Sequence, residues 1–216
     1  TQSIAVAVTN VNDAPVITSS ATASVAENQA AAVTVTSTDV DGGAPTYSIV
    51  GGADQSLFSI DSATGVLTFN AAPNFEAPGD AGSNNVYDVT VQVSDGNGGT
   101  ATQAIAVTVT NVNEAPVIAS SAAATVAENH TGAITVTSTD VDGGAPSYSI
   151  VGGADQALFS IDSASGVLIF NAAPNFEAPT DAGGNNVYDV TVQVADGNGG
   201  SDTQAIAVTV TNVNEA

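Results

Sequence analysis

The sequence predicts an all-β chain built as two tandem seven-stranded Greek-key β-sandwiches. Three observations carry this reading. Composition is the first. Valine, threonine, isoleucine and alanine dominate beside 21 glycines and 8 prolines, a mixture that favours strands and tight turns over helices. Internal repetition is the second. Sliding the chain by 101 residues aligns it with itself without a gap, and residues 10–110 match residues 111–211 at 84 of 101 positions. Solenoids repeat every 20 to 50 residues or so, whereas a period of about 100 marks whole domains strung in series. The third is alternation of apolar residues at period two, the mark of strands with one buried face.

Taken in order, residues 1–10 (TQSIAVAVTN) copy residues 102–111 (TQAIAVTVTN), the last strand of a repeat. They are expected to be the last strand of a preceding repeat, in a chain that is a segment of a longer array. An unpaired strand is a template for pairing, so this segment is expected to dock on a neighbouring repeat or another copy by strand addition. Repeat 1 then runs over 11–111 and repeat 2 over 112–216. In the first copy the core face is Val33 and Val35, Tyr47 and Ile49, Phe58 and Ile60, then Leu67 and Phe69. It continues through Tyr87, Val89, Val91 and Val93 to Ile105, Val107 and Val109. The turn signals DGGAP, GGADQ, SATG and GNGG separate these strands. The stretch 71–85, AAPNFEAPGDAGSNN, has no period, and a loop that long in a compact domain is functional or disordered. Seven short alternating strands in about 100 residues give the sandwich of immunoglobulin type.

Charge bounds the function. There are 22 Asp and Glu against no Lys or Arg, one His, no Cys and no Trp. Phosphate recognition needs cations, so nucleic acid is excluded as a partner, and anionic membrane surfaces fall by the same argument. No apolar run approaches the roughly 20 residues of a membrane-spanning helix. General-base and nucleophilic catalysis lack material with a single histidine, no cysteine and no lysine. A paired-carboxylate glycosidase would need cleft-forming insertions that are missing, so no enzyme is expected. His130 stands where the first copy has Gln29 and reads as a tolerant turn position, and the sequon at Asn129 reads as chance.

The carboxylates recur in register. Glu27 sits in VAENQ and Glu128 in VAENH. Asp39-Val40-Asp41 returns as Asp140-Val141-Asp142, Asn74-Phe75-Glu76 as Asn175-Phe176-Glu177, and Asp95 as Asp196, each of the last pair opening DGNGG. The phrase NVNDAP at 10–15 returns as NVNEAP at 111–116. This ordered set resembles the cadherin repeat in its bacterial cadherin-like form. There the pattern is an early Glu, a D-x-D, a loop D-R-E, a late Asp before Gly, and a linker D-x-N-D-N-x-P. The resemblance spans both copies and implies Ca²⁺ held at the junction of successive domains. Its ligands at the complete junction would be Glu27, Asn74 and Glu76 from repeat 1, Asn111, Asn113 and Glu114 from the linker, and Asp140, Asp142 and Asp196 from repeat 2. Two half-sites remain. The front one is Asn10, Asn12, Asp13, Asp39, Asp41 and Asp95. The back one is Glu128, Asn175, Glu177, Asn212, Asn214 and Glu215. Two or three ions are expected per complete junction. This chain departs from the family pattern in a linker one residue shorter, in Asn111 at its first position, and in Asn74 for the loop Asp.

Physical chemistry supports the metal reading. Ca²⁺ takes 6 to 8 oxygens from carboxylates and carbonyls, and six carboxylates gathered without a basic residue repel one another. Among the other carboxylates, Asp54 and Asp61 read as turn residues and Asp88 as solvated. Asp80 with Asn84 and Asn85 is weighed as a further ion site. The expected function is that of calcium-rigidified extender repeats in a secreted bacterial surface adhesin or fibre, outside the cell. Its partners would be neighbouring repeats and, through residues 1–10, other copies. The rival classes are a carbohydrate-binding module, which the lack of Trp disfavours, and a self-associating, strand-donating filament module.

Overall fold

The computed structural model describes residues 1–215. The chain divides into two units, Thr1–Val112 and Asn113–Ala216, one residue beyond the boundary that the repeat predicts. The strands of unit 1 are β1 Val16–Ile17, β2 Thr22–Ala26, β3 Ala31–Thr34, β4 Ser37–Thr38, β5 Thr46–Gly51, β6 Phe58–Ile60, β7 Val66–Phe69, β8 Val86–Ser94 and β9 Thr100–Thr110. The nine pieces make seven structural strands, because the first and second are each broken. The first changes sheet along its length. Its start, β1, pairs antiparallel with β4, and its continuation, β2, runs parallel to β9. A four-stranded sheet in the order β2-β9-β8-β5 faces a three-stranded sheet in the order β3-β7-β6.

The core lies between these sheets. Buried residues are Val25, Val35, Tyr47, Phe58, Leu67, Phe69, Tyr87, Val89, Val91, Val93, Ile105, Val107 and Val109. Val33, Ile49 and Ile60 of the predicted face are half-buried and pack on the margin of this cluster. Phe58 and Phe69 lie with ring centroids 4.4 Å apart, and Tyr87 meets Phe69 edge-on at 5.0 Å. Buried tyrosines need a partner for the hydroxyl. Tyr47 Oη finds Ser37 Oγ at 3.0 Å, and Tyr87 Oη accepts the Gly79 N–H at 3.1 Å. The turn signals act through backbone geometry. Gly65 of SATG has φ +71°, and a Cβ there would lie 2.3 Å from the Val35 carbonyl oxygen. The long loop 71–85 is ordered, with Pro73 and Asp80 buried.

Unit 2 repeats this plan from β10 Val117–Ile118 to β18 Ser201–Thr211. Its cluster comprises Val126, Val136, Tyr148, Phe159, Leu168, Phe170, Tyr188, Val190, Val192, Val194, Ile206, Val208 and Val210.

Residues 1–10 depart from expectation. They form no strand, and they are exposed throughout, Ile4 to 78%, Val6 to 83% and Val8 to 94%. The alternating pattern is there, but a strand persists only where a ladder holds it. The matching strand β9 has β8 on one side and β2 on the other, whereas the segment's last residue, Asn10, reaches unit 1 through its side-chain amide, which donates to Asp41 at 2.6 Å.

Leu67 is fully buried. Leu67→Ala is expected to destabilise unit 1 by about 2–5 kcal/mol through lost transfer energy and a residual cavity. Urea denaturation checks it, and a loss no larger than that of a surface substitution would contradict this account of the core.

Candidate metal centre

Strand β9 separates two polar ends of unit 1. Its 11 residues span roughly 35 Å at about 3.3 Å per residue. The loop 95–99 enters it at the end we term the crown, and residues 110–112 leave it at the end we term the base.

The crown gathers all six residues of the front half-site. Asp41 accepts Asn10 Nδ2 on Oδ1 at 2.6 Å and the Asp13 N–H on Oδ2 at 2.6 Å. Asp39 turns the D-x-D segment back on itself, its Oδ1 accepting the Asp41 N–H at 2.8 Å. Asp95 accepts Asn12 Nδ2 at 2.7 Å on one oxygen and the Asn97 and Gly99 N–H groups on the other, at 2.7 and 3.0 Å. Asp39 Oδ2 is buried and has no hydrogen-bond partner. A buried carboxylate oxygen without a donor is costly, and a hard cation is the ligand that satisfies it. The donor set is all oxygen and anionic, which fits Ca²⁺.

Local polarity in the crown comes from N–H groups. The backbone N–H of Asp13 and then the Asn10 amide hold the Asp41 carboxyl below the usual range, against desolvation and the like charge of Asp95. The Asn12 amide, then the Asn97 N–H, lower Asp95. Sequence reasoning reads the linker asparagines as oxygen donors, whereas here their amide nitrogens face the carboxylates.

The crown of unit 2 repeats the arrangement. Asn113 Nδ2 meets Asp196 Oδ2 at 2.7 Å, the Glu114 N–H meets Asp142 Oδ2 at 2.6 Å, and the Asp142 N–H meets Asp140 Oδ1 at 3.0 Å. Asp196 is lowered first by the Asn113 amide. One residue of the crown escaped sequence reasoning. Gly99 reads as part of a hairpin turn, yet a Cβ there would lie 2.2 Å from Asp95 Oδ2, and at Gly200 one would lie 2.3 Å from Asp196 Oδ2. The last glycine of GNGG therefore makes room for the carboxylate. Its φ is ordinary, so composition alone gives no signal; only its recurrence beside Asp does.

At the base of unit 1, Glu27 is 1% exposed. Its Oε2 accepts the Phe75 N–H at 2.9 Å and its Oε1 the Val112 N–H at 2.8 Å. Glu27 and Glu76 bring carboxylate oxygens within 4.8 Å of each other. Asn74 accepts the Ala77 N–H at 2.7 Å and so shapes its own turn, while Asn111 lies exposed just past β9. The base of unit 2 shows the back half-site with its trailing segment. Glu128 accepts the Phe176 N–H at 2.9 Å and the Val213 N–H at 2.8 Å. Those two N–H groups, Val213 first, lower its carboxyl below the usual range. Asn212 Nδ2 donates to Glu177, Asn129 Nδ2 donates to Glu215 at 2.8 Å, and Asn175 accepts the Ala178 N–H at 2.8 Å. Asn214 is exposed and sits with these residues only by sequence.

The other weighed carboxylates resolve differently. Asp61 accepts the Ala63 and Thr64 N–H groups and the Thr64 hydroxyl, as a turn residue does. Asp80 is buried, and its two oxygens take the Asn84 and Asn85 N–H groups at 3.0 Å each. Asp54 is more than a turn residue. It is 4% exposed and accepts the Ala81 and Asp88 N–H groups at 2.7 and 2.8 Å.

With this geometry in hand, the chain was compared with known proteins. A family model described as a bacterial Ig domain matches residues 12–108 and again 113–209. No curated protein matches the chain. Among solved structures it is similar to human protocadherin-24 EC1-2, at TM-score 0.65 and 19% identity over 94% of this chain and 100% of that one. It is similar to mouse cadherin-23 EC22-24, at TM-score 0.60 and 20% identity over 95% of this chain and 68% of that one. It is also similar to protocadherin gamma B2 extracellular cadherin domains 3-6, at TM-score 0.59 and 22% identity over 96% of this chain. It covers 53% of that last chain and so spans about half its length. At these identities the likeness is one of fold.

Depressed carboxyls stabilise the fold above the ordinary carboxylate range and lose that contribution as pH falls through their lowered folded values. Carboxyl NMR of the calcium-free chain is expected to place the midpoints of Asp41, Asp95 and Asp196 below about 3.9, the value of an unperturbed Asp. Midpoints at or above that value would overturn the assignment of amide donors to these side chains.

Proposed function

The chain belongs to the bacterial Ig domain family, and from that premise we propose that its two domains are calcium-rigidified extender repeats of a bacterial extracellular adhesin or surface fibre. The observation that carries this is the crown, where Asp39 keeps a buried oxygen with no hydrogen-bond donor, in a chain without one lysine or arginine. The base supplies a second acidic set, Glu27 and Glu76. Between them in sequence lies the linker. Val112 donates its N–H to Glu27 in unit 1, and the next residue, Asn113, donates its amide to Asp196 in unit 2. We assign the junction ligands accordingly as Glu27 and Glu76, linker Asn111, Asn113 and Glu114, then Asp140, Asp142 and Asp196, with Asn74 shaping the turn that presents Glu76.

Bound Ca²⁺ would supply positive charge shared among these carboxylates, fixing the linker. The side chains themselves do the selecting. Carboxylates present hard oxygens, buried Glu27 is held in one orientation by backbone N–H groups, and a half-turn of the Asn113 amide exchanges nitrogen for oxygen. Absence of cationic side chains disfavours nucleic-acid binding, and among the described residues no helix is long and apolar enough to cross a membrane. Two near-identical copies suit a spacer, because a recognition site needs only one specialised copy.

Thermal unfolding and small-angle scattering test this, with calcium and with chelator. At a free calcium concentration about 100 times the dissociation constant, stability should rise by about 2.7 kcal/mol, with a narrower spread of end-to-end distances. Asp142→Asn should weaken the effect. Identical melting and scattering with and without chelator would overturn the calcium reading.

A further inference from the structure

Both copies contain a chain of hydrogen bonds that starts from buried carboxylates no ligand assignment uses. In unit 1, Asp54 accepts the Ala81 and Asp88 N–H groups, and its own N–H donates to the Asp88 carbonyl at 3.0 Å. Next to Ala81, Asp80 accepts the Asn84 and Asn85 N–H groups. Asn85 has φ +61°, and its Nδ2 donates to the Phe75 carbonyl at 2.8 Å. Phe75 stands between Asn74 and Glu76, and its own N–H donates to Glu27. In unit 2 the same links run from Asp155 and Asp181 through Asn186 to Phe176 and Glu128. They persist although the loop itself differs, with Thr180 for Gly79 and Gly184 for Ser83.

Asp54, Asp80, Asp155 and Asp181 are each no more than 7% exposed. Burying a carboxylate is costly unless donors surround it, and here the donors are main-chain N–H groups of the loop and of β8. An ionised Asp offers acceptors only, which matches two converging N–H groups, whereas the amide of Asn would turn an NH₂ toward one of them. The loop 71–85 has no strand of its own, so hydrogen bonds fix its path. The Asn28 N–H to the Pro73 carbonyl and the Phe75 N–H to Glu27 hold the start of the 74–76 turn, and the two Asp anchors hold the stretch whose Asn85 amide reaches back to Phe75.

We propose that Asp54 and Asp80 are positioning residues for the calcium-binding base: they touch no ion, and they hold the Phe75 peptide so that Glu27 and Glu76 meet at their binding distance. This rests on the calcium reading above. It also makes a distinction that a purely structural role does not. In a polypeptide of residues 1–216 the linker after the base of unit 1 leads into a second crown, so there Asp54 and its counterpart Asp155 should affect fold alike but junction calcium unequally.

The test is calorimetric titration of calcium into the full chain carrying Asp54→Asn or Asp155→Asn, with melting in chelator and hydrogen exchange at Phe75 alongside. Partners that orient metal ligands are worth roughly 10–100-fold in affinity, so Asp54→Asn should weaken the tightest calcium sites by about tenfold or more and Asp155→Asn by less than about twofold. Both variants should melt alike in chelator, and Phe75 should exchange faster in Asp54→Asn. Should Asp54→Asn fail to fold, Asp80→Asn is read by the same criteria. Equal calcium affinities in the two variants, or unchanged exchange at Phe75, would overturn the positioning role alone. A wild-type chain that takes up no calcium would overturn the calcium reading and, with it, this role.

Discussion

No carboxylate in this protein has a lysine or arginine to pair with, and the buried ones are arranged around that constraint. With 22 acidic residues and no Lys or Arg, an ordinary salt bridge cannot form, and the substitute is the N–H group. Glu27, Asp54 and Asp80 are each nearly sealed from solvent and accept two backbone N–H groups. Hydrogen bonds to a charged group contribute about 1.5–3 kcal/mol, more than neutral ones. Because the donors belong to the main chain, each such carboxylate fixes a path as well as a charge. Glu27 ties the loop 71–85 to the segment leaving β9, and Asp54 ties the same loop to β8.

The carboxylates fall into two kinds by this measure. Asp54, Asp61 and Asp80 are closed, their donors all coming from their own unit's turns and strands. Asp39 is open, with one buried oxygen that nothing donates to. Asp41 and Asp95 lie between these kinds. Part of their stabilisation comes from the side-chain amides of Asn10 and Asn12, which can rotate away when a stronger partner arrives. Closed groups build the fold, and the open oxygen of Asp39 is what the proposed cation would satisfy in the crown of unit 1.

The sequence made the strand faces legible because burial alternates with period two, and Tyr47, Leu67, Val91 and Val107 lie in the core as their phase requires. Val33, Ile49 and Ile60 share that phase yet are only half-buried, since position along a short strand near the sheet margin decides coverage and phase does not report it. The breaks in the first two strands were not legible either. Their cause is a change of partner, from β4 to β9 in the first strand and from β7 to β1 in the second, a long-range event with no local residue signature. Asp54 shows the limit most clearly. An Asp beside Gly-Ala in GGADQ looks like any turn residue, and its burial depends on Ala81 and Asp88, about 30 positions away. The asparagines of the linker were found, but the face of the amide turned to the carboxylate was not, because sequence does not encode rotation about a terminal bond. Residues 1–10 had the right pattern and no ladder.

The two copies act as an internal control on which of these features the fold needs. Substitutions between them include Thr68 to Ile169 on a sheet surface and Ala101 to Asp202, whose carboxylate gains the Ile118 N–H at 2.9 Å and fastens β10. The donors to Glu27 and Glu128, to Asp95 and Asp196, and to Asp54 and Asp155 are the same in both. What recurs is therefore the polar frame at the two ends, and the linker phrase belongs to both frames at once. Val112 completes the oxygen pair of Glu27, while Asn113 and Glu114 complete the crown carboxylates that follow. A base lacks a donor without the residues that trail it, and a crown lacks one without the residues that lead into it. Three consecutive residues with fixed but different obligations leave little freedom for substitution or length change, which is a physical reason for NVN followed by Asp or Glu, Ala and Pro to return at the same place in each repeat.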